Sequence, residues 1–171
     1  MLNFLPPFLL GPISLFLAIG NLLIFTLPLY LIGFLKILIP DLKIKAKFTD
    51  LLSGLASLWA SNNNFILSLT QKIKLDIRGL NNLSRDQWYF ITCNHQSWVD
   101  IVVLFKIFNR KIPYPKFFLK SSLRKIPIMG FAWKILDYPF MKRYSKEFLK
   151  KNPDLQGKDL ETTQKACKNF S

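Results

Sequence analysis

The sequence predicts an α/β protein in which an N-terminal membrane helix is followed by a sheet flanked by helices. Three observations support this class. Residues 2–35 include no charged side chain, which is typical of a membrane segment. Residues 73–77 alternate apolar and polar side chains, as a half-buried strand does. Residues 88–93 form a near-continuous apolar run, which indicates a strand buried on both faces. Helical patterns precede and follow these runs, and strands that alternate with helices indicate an α/β layer structure.

The composition points to an anionic surface as the partner of this chain. Half of the 171 residues are apolar and 15% are aromatic, while 24 Lys and Arg outnumber 10 acidic residues, for a net charge of +14. This combination favours membrane lipids over nucleic acid, because no helix-turn-helix, zinc-finger or RNA-binding signature occurs. Cys93 and Cys167 are far apart without metal-ligand spacing, so we expect buried thiols, no metal site and a reducing compartment.

Residues 1–48 are predicted to form a membrane anchor. The apolar run 8–35 would extend about 42 Å as a helix, longer than the roughly 30 Å hydrocarbon core of a bilayer. Pro28 interrupts the hydrogen-bond ladder, so a kinked single span is predicted, with a shallow two-helix hairpin in one leaflet as the alternative. By the positive-inside rule, the lysines after the run predict an inner-membrane protein whose later part faces the cytoplasm. These lysines are Lys36, Lys43, Lys45 and Lys47.

The rest of the chain divides into a connector, residues 49–72, and a domain, residues 73–171. In the connector, apolar residues recur at helical spacing and predict an amphipathic helix that packs on the domain or lies on the membrane. Within residues 158–170, acidic side chains come early and lysines late, an order that the helix dipole favours. Within the domain, strands are predicted at residues 73–77, 88–93 and 116–120, and helices from about Trp98 to Phe108 and over residues 158–170.

His95 is the only histidine in the sequence, in the stretch CNHQSWVD directly after the second predicted strand. Ser97 and Asp100 have the spacing of a capping box, in which case His95 needs no special role. Alternatively, His95 is a general base held by the Asp100 carboxylate, at a strand end where α/β proteins collect ligands. No Gly-x-Ser-x-Gly nucleophile motif occurs, so the attacking hydroxyl would belong to the substrate.

Two sequence blocks resemble the phospholipid and glycerol acyltransferase family, the 1-acylglycerol-3-phosphate acyltransferases. NHQSWVD is similar to the family's Asn-His-x-x-x-x-Asp block. The segment FLKSSLRKIPIMGFAWKILDYPFMKR is similar to its Lys-x-x-Leu-x-x-x-Pro-x-x-Gly block, which ends in an arginine. The matching positions are Lys120, Leu123, Pro127, Gly130 and Arg143. LKSSL resembles the lysocardiolipin-type branch, and the resemblance covers residues 73–171.

The resemblance implies roles for these residues. His95 would be the general base, Asp100 would orient it, and Arg143 would bind the phosphate of the acceptor. The further candidates for substrate contact are Asn94, Lys120 and Gly130. A lysine that supports the fold is an equal alternative for Lys120, and Gly130 also fits a turn.

The implied reaction moves an acyl chain from acyl-CoA or acyl carrier protein to the hydroxyl of a lysophospholipid such as 1-acylglycerol-3-phosphate. It would serve phospholipid biosynthesis and need no metal or bound cofactor. A non-catalytic, membrane-attached binding or assembly protein is the alternative. The family's third block, Glu-Gly-Thr-Arg, does not occur in the sequence. We therefore expect an incomplete acyltransferase sheet and a fragment of a longer protein, with a truncated, inactive copy as the alternative. We also expect little activity or stability of this chain alone.

Overall fold

The computed structural model describes residues 2, 4–142 and 144–168, and the chain folds as two compact units, residues 1–115 and 116–171. The first unit contains α1 (Pro7–Leu38), α2 (Leu42–Thr70) and α3 (Trp98–Phe108). The second contains β1 (Leu119–Lys120), a 3₁₀ helix (Ser121–Lys125), α4 (Met129–Ile135), β2 (Phe140–Met141), α5 (Lys146–Lys151), a 3₁₀ turn (Pro153–Leu155) and α6 (Lys158–Lys168). With 63% helix and a small parallel sheet, the structure agrees with the α/β class in broad terms.

α1 is one continuous helix that includes both internal prolines. Pro6 is its N-cap and Pro7 its first residue, where the missing amide hydrogen costs nothing. The helix continues through Pro12 and Pro28, so the break that a hairpin within residues 8–35 requires does not occur. By length and composition, α1 could cross a membrane.

α2 runs back along α1, so that the two helices form an antiparallel pair. At the open end of this pair, the Leu2 amide donates to the Leu69 carbonyl at 2.8 Å. Leu52, Ala56 and Ala60 lie four residues apart on the buried face of α2, and the alanines allow a close approach of the helices. The chain after α2 therefore starts beside the N-terminus, away from the α1–α2 turn.

The helix predicted in the connector is present, but it begins earlier than its apolar pattern suggests. Asp41 caps α2 by accepting the Ile44 amide at 2.9 Å. The predicted boundary between residues 48 and 49 lies inside this helix. The cap and a lysine-rich first part extend α2 beyond the apolar stretch that predicted it.

Residues 71–97 connect α2 to α3 without a helix or a strand ladder. The predicted strands at residues 73–77 and 88–93 are therefore wrong. A strand forms only where a neighbour satisfies its backbone groups, and within the described part of the chain nothing pairs with either run. Trp88 and Phe90 are 77% and 81% exposed, the opposite of the predicted burial on both faces.

The cysteines are exposed, so the expectation of buried thiols is wrong. Cys93 lies within the largely exposed segment between α2 and α3. Cys167 lies on α6, whose sequence is mostly polar. Neither thiol has the packed apolar surroundings that the expectation required.

β1 and β2 form a parallel pair in the second unit. Leu119 lies opposite Phe140, and Lys120 lies opposite Met141. Parallel strands need a crossover connection, which the 3₁₀ helix and α4 provide. The strand predicted at residues 116–120 is thus present in a shorter form. The buried residues around this crossover are Ala132, Ile135, Leu136 and Tyr138.

Candidate active site

The loop before α3 and the first turn of this helix form a capping box. The Ser97 hydroxyl accepts the Val99 amide at 3.2 Å, and the Asp100 carboxylate accepts the Ser97 amide at 2.7 Å. Both bonds satisfy amides that have no partner within the helix. This cap explains why α3 begins at Trp98, where the sequence predicted it.

The same carboxylate contacts the histidine. Oδ2 of Asp100 lies 3.2 Å from Nδ1 of His95 and also accepts the Gln96 amide at 2.6 Å. Asp100 is the third residue of the helix, so its side chain reaches back over the cap to the residues before it. Capping and histidine contact are therefore not alternatives, since one oxygen does both.

The electrostatics of this cluster favour an ionised carboxylate. Hydrogen bonds from the Ser97 and Gln96 amides, followed by the charge and hydrogen bond of His95, hold the pKa of Asp100 below its usual value. An ionised carboxylate can only accept hydrogen bonds, so the ring hydrogen of neutral His95 belongs on Nδ1. Nε2 then carries the lone pair of a base.

The histidine is open to a reactant. Its side chain is 54% exposed, and that of Asp100 is 33% exposed. Asn94, beside it in the chain, is exposed as well. The structure thus brings His95 and Asp100 together at an accessible helix start and leaves Nε2 free of the capping network.

The other predicted site residues belong to the second unit or lie outside the described residues. Lys120 is exposed at the end of β1, where it is also the N-cap of the 3₁₀ helix. Gly130 is buried in α4. Arg143 lies outside the described residues. Substrate contact by these residues stays a prediction.

Gly130 has a steric reason to be glycine. A Cβ at this position would overlap the backbone carbonyl of Arg124, and backbone cannot move aside as the end of a side chain can. The Gly130 amide also donates to the Ile126 carbonyl at 2.9 Å. Glycine therefore lets α4 pack directly on the 3₁₀ helix that precedes it.

An open cleft of about 300 Å³ lies on the first unit. Four of its lining residues, Tyr89, Phe90, Ile91 and Thr92, belong to the run 88–93 that was predicted as a buried strand, and this near-continuous apolar run was the signal for them. The run leads directly into the loop that carries His95. The cleft is lined by Leu83, Tyr89, Phe90, Ile91, Thr92, Phe108 and Ile112.

A capped helix start with an exposed imidazole held by a carboxylate defines a candidate acid–base site. The family model described as Acyltransferase matches residues 74–169, which is more than half of the 171-residue chain. The chain therefore belongs to the acyltransferase family, in agreement with the two blocks that resemble phospholipid and glycerol acyltransferases. No curated protein and no solved structure matches it. Among the described residues, no group of three or more His, Cys, Asp or Glu could hold a metal ion.

Proposed function

We propose that this protein transfers an acyl chain from acyl-CoA or acyl carrier protein to the hydroxyl of a lysophospholipid such as 1-acylglycerol-3-phosphate. The observation that carries this proposal is the 3.2 Å contact between His95 Nδ1 and Asp100 Oδ2, within a region that matches the acyltransferase family. A base fixed in this way suits attack by an alcohol on a thioester. We place the protein in phospholipid biosynthesis, without a metal or bound cofactor.

In this mechanism His95 moves one proton. Nε2 takes the proton of the acceptor hydroxyl while that oxygen attacks the thioester carbonyl, and Asp100 stabilises the imidazolium that forms. Collapse of the tetrahedral intermediate breaks the carbon–sulfur bond. The imidazolium returns its proton to the leaving thiolate, so the products are an ester and a free thiol.

The phosphate of the acceptor requires cations, and the chain has a large excess of them. Arg143 is our candidate for a bidentate contact with this phosphate, because a guanidinium matches two phosphate oxygens at once. Exposed Lys120 is a second cation for the same group. Asn94 and Gly130 complete the proposed substrate contacts, and the apolar cleft before His95 suits an acyl chain.

The exposed face of α1 supports attachment to a membrane. Phe16, Ile24 and Leu27 are at least 70% exposed, whereas Asn21, whose side chain bonds α2, is 3% exposed. An apolar exposed face, with a polar side chain buried against a partner helix, is the pattern of a helix in lipid. Membrane attachment brings the site to a surface where the lysophospholipid resides.

The cytoplasmic orientation rests on the basic α1–α2 turn, where Lys36 and Lys43 lie. α2 returns along α1, so an upright crossing of the bilayer would put this turn and the site on opposite sides. A helix pair that lies along the inner surface keeps both on the cytoplasmic side. We therefore propose the lying arrangement.

The capping box is also compatible with a second candidate, a membrane-attached binding or assembly protein without catalysis. In such a protein Ser97 and Asp100 only start α3. Both candidates account for the cap, but the second gives no reason for an exposed imidazole beside the carboxylate.

The test is a transfer assay on the protein, expressed from its natural reading frame, in phospholipid vesicles. Labelled acyl-CoA or acyl carrier protein is offered with 1-acylglycerol-3-phosphate, and with monoacylglycerol as a matched acceptor without phosphate. We expect diacylglycerol phosphate as product and a strong preference for the phosphorylated acceptor. A folded protein that acylates neither acceptor would support the non-catalytic candidate.

A further inference from the structure

One side chain, that of Asn109, holds the C-terminal end of α3 on α2. We call its hydrogen bonds with Ser57 and Ser61 the clasp. Nδ2 of Asn109 donates to the Ser57 carbonyl at 3.1 Å and to the Ser61 hydroxyl at 2.8 Å. Its Oδ1 accepts the Ser57 hydroxyl at 2.6 Å. Asn109 is also the C-cap of α3, through its backbone amide and the Phe105 carbonyl. These side-chain bonds join segments about 50 residues apart in sequence, so they fix tertiary position rather than local structure.

The chemistry of the clasp is specific to an amide. The Ser57 carbonyl can only accept, so it requires a donor, while the Ser57 hydroxyl uses the acceptor on the other side of the same group. The Ser61 hydroxyl in turn donates to the Ser57 carbonyl at 2.9 Å. An aspartate of equal shape would place an oxygen against that carbonyl and lose both donated bonds.

The same part of α2 also forms hydrogen bonds with α1, through the side chain of Asn21. Nδ2 of Asn21 donates to the Trp59 carbonyl at 3.3 Å and to Oδ1 of Asn63 at 2.9 Å. Asn62 donates to Oδ1 of Asn21 at 2.7 Å. The Trp59 ring meets Phe105 of α3 edge-on, at 6.4 Å between centroids. Residues 57–63 thus connect the apolar helix α1 with α3, the helix that follows the loop of the proposed base.

We propose that Asn109 is a positioning residue that holds α3 on the α1–α2 pair, and so sets where His95 stands relative to the lipid surface. This inference rests on the proposed function and on membrane attachment by α1. α3 is a short rigid rod with Asn109 at one end and Asp100 at the other. The capping box at the catalytic end does not use Asn109, so the clasp governs the placement of the base and not its chemistry.

The kinetic test compares two acceptors in Asn109→Ala and Asn109→Asp. For 1-oleoylglycerol-3-phosphate in vesicles, misplacement of the base should lower kcat/KM by about tenfold to a hundredfold. For 1-hexanoylglycerol-3-phosphate, which stays monomeric in water, kcat and its pH profile should remain close to wild type. Aspartate has the shape of asparagine and preserves the C-cap. Asn109→Asp therefore still tests the clasp if Asn109→Ala folds poorly.

The control is Asn152→Ala. Asn152 is the C-cap of α5, and its side chain bonds the Phe148 carbonyl of its own helix at 3.1 Å. This variant should leave the ratio of the two activities unchanged. Equal losses on both acceptors in the Asn109 variants, or no loss on vesicles, would overturn the proposal.

A structural measurement does not depend on turnover. Spin labels at Leu58 on α2 and Val102 on α3, both exposed, report the distance between the helices after Cys93 and Cys167 are replaced by Ser. We expect a narrow distance distribution in vesicles for the wild type and a broad one for Asn109→Asp. An unchanged width would contradict the clasp. If the wild type acylates neither acceptor, the proposed function fails, while this distance still decides the role of Asn109.

Discussion

A single carboxylate oxygen of Asp100 holds both the start of α3 and the imidazole of His95. The amides of Ser97 and Gln96 keep this carboxylate ionised, because they stabilise its charged form. Asp100 thus contributes both to the cap of α3 and to the proposed acid–base chemistry. Substitution of Asp100 should therefore affect the cap and the base together, whereas substitution of His95 should affect only the base.

The lowered pKa of Asp100 predicts how stability changes with pH. A depressed pKa in the folded state means that the contribution of the cap is present above the ordinary aspartate value and is lost as pH falls through the folded value. The unfolding midpoint of the wild type should thus exceed that of Asp100→Asn at neutral pH, and the difference should shrink in acid. Thermal unfolding followed from about pH 7 to pH 2 measures this. A difference that stays constant or grows in acid would contradict the assignment.

At the scale of elements, the α1–α2 pair is held by a polar lock within an apolar interface. Asn21 is 3% exposed and bonds Asn62, Asn63 and the Trp59 carbonyl. A buried amide is costly unless its bonds are made. The lock therefore fixes the alignment of α1 and α2 in addition to holding the two helices together.

Asn21→Leu tests this lock. The change leaves the amide of Asn62 without its acceptor, so we expect a loss of about 1–3 kcal/mol in the free energy of unfolding. The matched control is Ser14→Ala, since within the described part of the chain the Ser14 hydroxyl donates to the Leu10 carbonyl of its own helix, at 2.7 Å. Denaturant unfolding in detergent compares the two. Equal stability of both variants would show that the lock adds nothing.

Gly130→Ala tests the contact between α4 and the 3₁₀ helix. The added methyl group would overlap the Arg124 carbonyl, and forced repacking costs about 1–3 kcal/mol. Gly54→Ala is the control, because a Cβ there meets nothing within 4 Å and alanine favours the helix by up to about 1 kcal/mol. The unfolding midpoints should move in opposite directions. A Gly130→Ala protein of normal stability would return Gly130 to a role in substrate contact alone.

At the scale of the whole molecule, the sequence predicted local structure better than distant contacts. α3 lies where Ser97 and Asp100 placed it, because a cap acts within one turn. Strands need partners from elsewhere in the chain, and the apolar run at residues 88–93 does not reveal whether one is present. The partners of Asn21 and Asn109 lie some 40 to 50 residues away, and no pattern in the sequence around either asparagine indicates them.

The site was predictable in part for the same reason. His95 and Asp100 are close in sequence and in space, so their spacing alone suggested the contact. The roles of Lys120 and Arg143 depend on where the second unit carries them, which spacing cannot supply. Their part in phosphate binding stays a prediction.

The role of His95 as general base is tested most directly by the rate of acyl transfer of His95→Ala, measured beside Ser97→Ala in vesicles. We expect His95→Ala to lose about 10²- to 10⁴-fold in kcat, as removal of a general base does, with unchanged helix content. Ser97→Ala should instead lose about 1 kcal/mol of stability and keep most of its turnover, since the Asp100–His95 contact remains. A His95→Ala protein that transfers acyl chains at nearly the wild-type rate would exclude His95 as the general base, and His95 would then be only a neighbour of the cap.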